Sequence, residues 1–172
     1  SLRDGEKINI IWIDAHGDYN SPESSRSGNI HGMPLYYLLN KSSYRKRVNK
    51  VFLIGTSDLD DAEHSMIEND ARIENIRYQE IGDLQSLIRK MSRLSDSWGF
   101  HLSFDIDVLP LHQAPGTGCQ LEVGVDWALL KELFHLALQG LEIKAIDIVE
   151  YNPDLDKGKK TRNIVLELVD LI

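Results

Sequence analysis

Three potential metal ligands stand at alternate positions, Asp14, His16 and Asp18, directly after a run of mostly apolar residues. In an extended segment that leaves a strand, side chains at alternate positions point to the same side. A carboxylate at the end of an apolar run is costly to bury unless a partner compensates its charge. The spacing therefore indicates a metal site rather than an ordinary polar loop.

A second acidic pair, Asp105 and Asp107, ends another apolar run. Two carboxylates so close repel each other unless a cation lies between them. One histidine and four aspartates suit a divalent ion that accepts both oxygen and imidazole ligands, such as Mn²⁺. The only cysteine is Cys119, so a Cys-rich structural zinc site is not expected.

The elements that must position these residues alternate between strands and helices, and this alternation predicts an α/β fold of three αβα layers around a mostly parallel sheet. Ligand sites in such folds lie beyond the carboxyl ends of the strands, where both acidic groups and Glu150 fall. The predicted strands cover residues 8–14, 51–55, 76–79, 100–105 and 144–149. The predicted helices cover residues 33–39, 58–69, 84–94 and 126–138.

Composition narrows the function classes. The 172 residues carry 19 basic and 27 acidic side chains, a net charge of −8, which disfavours binding to nucleic acid or to an anionic membrane. No apolar run approaches the roughly 20 residues of a membrane-spanning helix. Residues 1–7 lack the apolar middle region of a signal peptide. We therefore expect a single domain over residues 1–172 with a cytoplasmic location.

Four segments in order along the chain resemble motifs of the ureohydrolase family, which comprises arginases, agmatinases and formimidoylglutamases. The resemblance is nearest to the arginase branch. The segments are residues 12–20 (WIDAHGDYN), 27–34 (SGNIHGMP), 103–107 (SFDID) and 147–153 (DIVEYNP). Four ordered motifs make this match much more specific than one. The resemblance implies an arginase/deacetylase-like sheet and one ureohydrolase-type catalytic domain.

The resemblance also implies a binuclear manganese hydrolase that cleaves the guanidinium of L-arginine to L-ornithine and urea. A metal-bridging hydroxide would attack the guanidinium carbon. Asp18 would orient this nucleophile, and His31 would shuttle protons to the leaving amine. The implied ligands are Asp14, Asp18 and Asp105 for one ion, and Asp14, His16, Asp105 and Asp107 for the other.

The residues that the resemblance assigns to the substrate form three sets. Thr117 and Glu150 would bind the guanidinium, for which a carboxylate is a natural planar partner. Both ends of a zwitterionic amino acid would also be recognised, which favours arginine over agmatine. Asn20, Ser27 and Asn29 match the α-carboxylate group, and Asp60 and Glu63 match the α-amino group.

Departures from the family pattern leave alternatives open. The first metal-ligand histidine of the family lies in an upstream Gly-Gly-Asp-His segment that these residues lack. We therefore expect the chain to correspond to the central and C-terminal part of a longer, N-terminally extended member. A chain short of one ligand could also be an inactive fragment or scaffold. Related enzymes form trimers or hexamers, so the resemblance implies a homo-oligomer.

Substrate identity is a second open alternative. After Asp107 the arginase pattern continues to Asp-Pro, whereas residues 108–116 read VLPLHQAPG and are closer to formimidoylglutamases. Formimidoylglutamase or another guanidino-acid hydrolase is thus the second candidate on the same scaffold. A deacetylase-like protein with one zinc ion is disfavoured because both acidic groups and the 27–34 loop are intact.

Overall fold

The computed structural model describes residues 6–94 and 99–172 and contains a sheet of five parallel strands in the order β3-β2-β1-β4-β5. Residues 1–5 lie outside the described residues, and the expectation that residues 1–7 are not a signal peptide falls partly on them. No described helix is long and apolar enough to cross a membrane. The strands are β1 (Ile8–Ile13), β2 (Val48–Ile54), β3 (Ile73–Ile76), β4 (Gly99–Asp105) and β5 (Ile143–Val149).

The first strand of the chain, β1, occupies the centre of the sheet. It pairs with β2 on one side and with β4 on the other, and Ile13 lies opposite both Ile54 and Phe104. A strand that is apolar on both faces needs helices above and below it, and Ile10 and Ile11 are both buried. The chain order reverses between β1 and β4, which is where open α/β sheets place their ligand sites.

Helices cover both faces of the sheet, which confirms the predicted three-layer αβα architecture. One face packs against α3, α4 and α5, and the other packs against α1, its following turn and α2. The helices are α1 (Pro34–Tyr36), extended by a π-helical turn (Tyr37–Lys41), α2 (Asp61–Asn69), α3 (Leu84–Ser92), α4 (Trp127–Gly140) and α5 (Lys160–Leu171).

Several predicted boundaries differ from the structure. The strand predicted at residues 76–79 was wrong, because β3 pairs with the end of β2 and stops at Ile76. The helix predicted from residue 58 begins at Asp61, because the Asp60 carboxylate accepts the Glu63 amide at 2.9 Å and caps it. The helix predicted to end at residue 138 continues to Gly140.

Helix α5 was not predicted. Its buried residues, Thr161, Ile164 and Leu168, stand at helical spacing, so the signal was present in the sequence. The left-handed backbone of Gly158, at φ 78°, and of Lys159, at φ 58°, directly precedes the helix and changes the direction of the chain. The helix packs against the same sheet face as α4 and completes that layer.

Candidate metal centre

The two acidic groups meet at the carboxyl ends of β1 and β4. Asp14 and Asp105 follow Ile13 and Phe104, which lie opposite each other in the sheet. The backbone amide of Asp14 still donates to the carbonyl of Ile54 at 3.0 Å, so the strand's hydrogen bonding holds this residue in place. The sheet register therefore fixes where both acidic groups begin.

Three buried carboxylates converge at this point. One oxygen from each of Asp14, Asp105 and Asp107 lies within 4.8 Å of the other two, and the three residues are 1%, 6% and 3% exposed. Burial raises the pKa of Asp14, and burial together with the charges of Asp14 and Asp107 raises the pKa of Asp105 to about 10. Three such groups cannot all be ionised unless a cation compensates them.

His16 is the cationic partner of this cluster. Its Nδ1 atom lies 3.0 Å from Asp107 Oδ2 and 3.4 Å from Asp14 Oδ1. Burial alone would lower the pKa of His16, but its hydrogen bonds to Asp107 and Asp14 raise it to about 12. Once a metal ion displaces its proton, the imidazole joins the buried oxygens in a donor set that fits a divalent cation such as Mn²⁺.

Neighbouring groups hold the Asp14 carboxylate in position. The His16 amide donates to Oδ1 at 2.7 Å, and the Trp12 indole Nε1 donates to Oδ2 at 3.0 Å. Sequence analysis missed Trp12, although it stands two residues before Asp14 and therefore on the same side of the extended chain. Hydrogen bonds to a ligating carboxylate orient it toward the metal.

Glu63 packs against the loop of residues 14–18 that carries the candidate ligands, here called the ligand loop. This residue is 4% exposed, and its Oε1 atom accepts the Tyr19 amide at 2.8 Å. A Cβ atom at Gly17 would lie 2.7 Å from the Glu63 carboxylate, so a larger residue there would displace this side chain. Burial raises the pKa of Glu63. The carboxylate thus fixes the path of the loop in addition to its predicted place beside the substrate.

Asp18 lies at the end of the ligand loop in a left-handed backbone conformation with φ 49°. Its carbonyl accepts the amides of Leu35 at 3.0 Å and Tyr36 at 3.2 Å, which anchors the start of α1. Burial, and then the charge of Asp14, raise the pKa of its carboxyl to about 9. Asp18 is close enough to feel the charges of Asp14, His16 and Asp107, but its carboxylate does not belong to the group of three that converge.

The residues predicted to bind the α-carboxylate and α-amino groups of the substrate lie in two places. Asn20 Nδ2 donates to Asp60 Oδ2 at 3.2 Å, so the structure joins one member of the α-carboxylate set to one member of the α-amino set. Ser27, Asn29 and His31 lie in an exposed loop, in which the Asn29 amide donates to Ser27 Oγ at 3.2 Å. These three side chains are therefore accessible from solvent.

The predicted guanidinium residues are placed differently from each other. Thr117 is 1% exposed and its hydroxyl has no hydrogen-bond partner. Glu150 is exposed directly after β5, with a left-handed φ of 60°. The residue of the Thr117 turn that reaches the cluster is Cys119, which sequence analysis set aside; its Sγ atom lies 3.3 Å from His16 Nε2. In the sequence, only its position two residues after Thr117 indicated that Cys119 would lie near the site.

Comparisons with known proteins agree with the fold described above. A family model described as the arginase family matches residues 2–172. The arginase of Staphylococcus aureus (strain COL) is 35% identical over 180 residues, and the arginase of Bacillus subtilis (strain 168) is 34% identical over 181 residues. The crystal structure of arginase from Bacillus cereus superposes with a TM-score of 0.88 at 31% identity.

The matches cover nearly all of this chain but only part of each relative. They span 94% of the chain and 58% of the S. aureus protein, and 96% of the chain and 60% of the B. subtilis protein. The B. cereus structure matches over 96% of this chain and 62% of its own. The chain thus spans about three fifths of the length of these relatives.

Proposed function

The chain belongs to the arginase family, and on this premise we propose that residues 1–172 form the central and C-terminal part of the catalytic domain of a manganese-dependent ureohydrolase. Its reaction would be the hydrolysis of L-arginine to L-ornithine and urea. The observation that carries the proposal is the convergence of three buried carboxylates beside His16 at the strand-order reversal.

The residues that would hold manganese are Asp14, His16, Asp18, Asp105 and Asp107. Two Mn²⁺ ions would supply the Lewis acidity that makes a water molecule nucleophilic near neutral pH. The protein's part is to present its carboxylates in fixed orientations. The hydrogen bonds from Trp12 and from the His16 backbone to Asp14 perform this task, as does the 3.4 Å contact from the Ala15 amide to Asp107 Oδ1.

The positions of three side chains support the catalytic roles proposed for them. Asp18 borders the carboxylate cluster and would accept a hydrogen bond from the attacking water, which orients it. His31 is exposed on a short 3₁₀ turn (Ile30–Gly32), so its imidazole can exchange protons with solvent and pass one to the leaving amine. Glu150 follows β5 at the same edge of the sheet and would pair with the guanidinium through its carboxylate.

Selection of an amino acid substrate would depend on Asn20, which follows the ligand loop, and on Asp60, which precedes α2. Asn20 and Asp60 are hydrogen-bonded to each other, so they would present an amide for the α-carboxylate and a carboxylate for the α-amino group at adjacent positions. The hydrogen bond from the Glu63 amide lowers the pKa of Asp60, which keeps it ionised to bind an ammonium group. Ser27, Asn29, Glu63 and Thr117 complete the proposed substrate set.

Formimidoylglutamase activity is the second candidate, because residues 108–116 depart from the arginase pattern after Asp107. A guanidino-acid hydrolase of another specificity would use the same centre. The cytoplasmic location and the homo-oligomeric assembly are part of the proposal and rest on the family resemblance. A chain that holds no metal would instead be the inactive scaffold anticipated from the sequence.

Metal stoichiometry and product identity together test the proposal. We expect the purified protein to bind Mn²⁺ and to release urea and ornithine from arginine. Asp107→Asn should abolish both, while Asp147→Asn should change neither, since Asp147 is exposed and pairs with His101 at 2.9 Å instead. Formamide from formimidoylglutamate without urea from arginine would establish the second candidate. Absence of bound metal would refute both.

A further inference from the structure

The side-chain amide of Asn20 is held on both sides. Its Nδ2 atom donates to Asp60 Oδ2 at 3.2 Å, and its Oδ1 atom accepts a hydrogen bond of 2.8 Å from the hydroxyl of Ser24. The other carboxylate oxygen of Asp60 accepts the Glu63 amide at 2.9 Å, which ties these side chains to the start of α2. Asn20 is therefore fixed between a helix cap and a serine outside the proposed substrate set.

A turn over residues 21–24 brings Ser24 to Asn20. The Ser24 amide donates to the Ser21 carbonyl at 3.2 Å, and Pro22 occupies the second position of this turn. Proline favours that position because its ring fixes φ near the value that the turn requires. The Ser21 side chain strengthens the turn, because its Oγ atom accepts the Ser24 amide at 3.1 Å. A short stretch of sequence thus places the Ser24 hydroxyl beside Asn20.

The direction of the hydrogen bond between Ser24 and Asn20 follows from the hydrogens available to each group. A hydroxyl offers one hydrogen and two acceptor sites. The Ser21 amide donates to Ser24 Oγ at 2.8 Å, so it uses an acceptor site and leaves the hydrogen. Asn20 Oδ1, at 2.8 Å, is a nearer acceptor for this hydrogen than the Ser21 carbonyl at 3.3 Å. Ser24 is therefore the donor, and the oxygen of the Asn20 amide faces it.

Asp60 enforces the same orientation from the other side. The hydrogen bond from the Glu63 amide, and then the one from Asn20, lower the pKa of Asp60, so this carboxyl is charged near neutral pH. A reversed Asn20 amide would place its oxygen against this carboxylate, which repels it. The Nδ2 atom carries two hydrogens. One goes to Asp60, and the second can be donated to a substrate carboxylate.

We propose that Ser24 is a positioning residue that selects amino-acid substrates by holding the Nδ2 atom of Asn20 toward the substrate α-carboxylate. The inference rests on the proposed function and adds a specificity residue to it. Ser24 acts through Asn20 rather than through contact with the substrate. Without the Ser24 hydroxyl, only Asp60 holds the Asn20 amide, which can then rotate, so that a bound carboxylate loses an oriented donor.

The affinities for L-ornithine and putrescine test this role directly. Putrescine is ornithine without its carboxylate, so the two ligands differ only in the group that Asn20 would bind. Both are titrated calorimetrically into the full chain supplied with Mn²⁺. Ser24→Ala should weaken ornithine binding about 3- to 10-fold, toward the affinity of putrescine, and leave putrescine binding unchanged. Ser24→Thr keeps the hydroxyl and should keep the wild-type affinity for ornithine.

Two further variants separate this role from a general effect of losing a hydroxyl. In an Asn20→Ala background, Ser24→Ala should have no additional effect on ornithine binding, because Ser24 acts through the Asn20 amide. Ser92→Ala is the matched control. Its hydroxyl donates to the Arg89 carbonyl at 3.0 Å at the end of α3, on the opposite face of the sheet from α2. This variant should leave both affinities unchanged.

Kinetics provide a second readout. Ser24→Ala should raise the KM for L-arginine by the same factor as the loss of ornithine affinity, with kcat unchanged. A fall in kcat at unchanged KM would contradict the positioning role. Wild-type ornithine affinity in Ser24→Ala, or an equal loss for ornithine and putrescine, would overturn the inference and leave the proposed function intact. If the wild-type chain binds no ornithine, the inference and the proposed recognition of an amino acid both fail.

Discussion

The Nδ1 atom of His16 lies 3.0 Å from the Oδ2 atom of Asp107, and this contact joins the ends of the two central strands. The Ala15 amide, 92 positions from Asp107 in the sequence, reinforces it with a hydrogen bond of 3.4 Å to Oδ1. Every other group of the proposed centre is arranged around this junction.

Asp105→Asn should stabilise the metal-free protein and abolish its response to manganese. Burial and the nearby charges of Asp14 and Asp107 raise the pKa of Asp105 to about 10, so without an ion the folded chain must take up a proton at this carboxyl at neutral pH, which opposes folding. An amide of the same shape removes that cost and should raise the free energy of unfolding by about 1–4 kcal/mol. Urea denaturation with and without Mn²⁺ measures both effects, and Asp147→Asn is the control. A less stable metal-free variant would contradict the charge argument.

The metal-free protein should lose stability as the pH rises. Burial, with neighbouring charges, raises the pKa of Asp18 to about 9 and of Asp105 to about 10, against 3.8 for an ordinary aspartate. The folded chain therefore holds protons that the unfolded chain has released, and the free energy of unfolding falls between about pH 4 and about pH 10. Denaturation midpoints measured across this range should decline steadily.

Manganese should reverse the effect of pH, because a bound ion displaces those protons. The increase in melting temperature caused by Mn²⁺ should be larger at about pH 9 than at about pH 6. Differential scanning calorimetry at both values, with and without a chelator, measures this difference. An increase that is equal at both values would show that metal binding does not compete with protons at these carboxylates.

His31→Ala should slow turnover and spare the metal. His31 is exposed on its 3₁₀ turn and is not one of the converging ligand atoms. Removal of a proton shuttle should lower kcat by about 100-fold with the Mn²⁺ content unchanged. His64→Ala, on the exposed side of α2, should retain full activity. If His31→Ala loses manganese, His31 is a ligand rather than a shuttle.

Gly55→Ala should destabilise the fold beside the metal centre. Gly55 follows β2 with φ 102°, and a Cβ atom there would lie 2.4 Å from Val108 Cγ2. Strain and overpacking together should lower the free energy of unfolding by about 2–5 kcal/mol. Gly28→Ala is the matched control, because Gly28 has φ 71° but no heavy atom within 4 Å. It should cost about 1–2 kcal/mol, as measured by urea denaturation.

Local patterns in the sequence were sufficient for much of the fold. The apolar run at residues 8–13 predicted a strand, and β1 is the central strand of the sheet. The predicted boundaries were wrong where strand pairing or helix capping decides them: β3 ends where its pairing with β2 ends, and α2 begins where Asp60 caps it. Helix α5 was missed, although its buried residues have helical spacing.

The sequence by itself determined the kinds of candidate ligand and their order, because alternate spacing after apolar strands depends only on local backbone geometry. Only the tertiary structure decided which of these groups meet. It joined His16 to Cys119 across 103 positions, brought the Ala15 amide to Asp107 and buried the hydroxyl of Thr117. Such contacts depend on sheet register and on the paths of loops between strands, which no local pattern encodes.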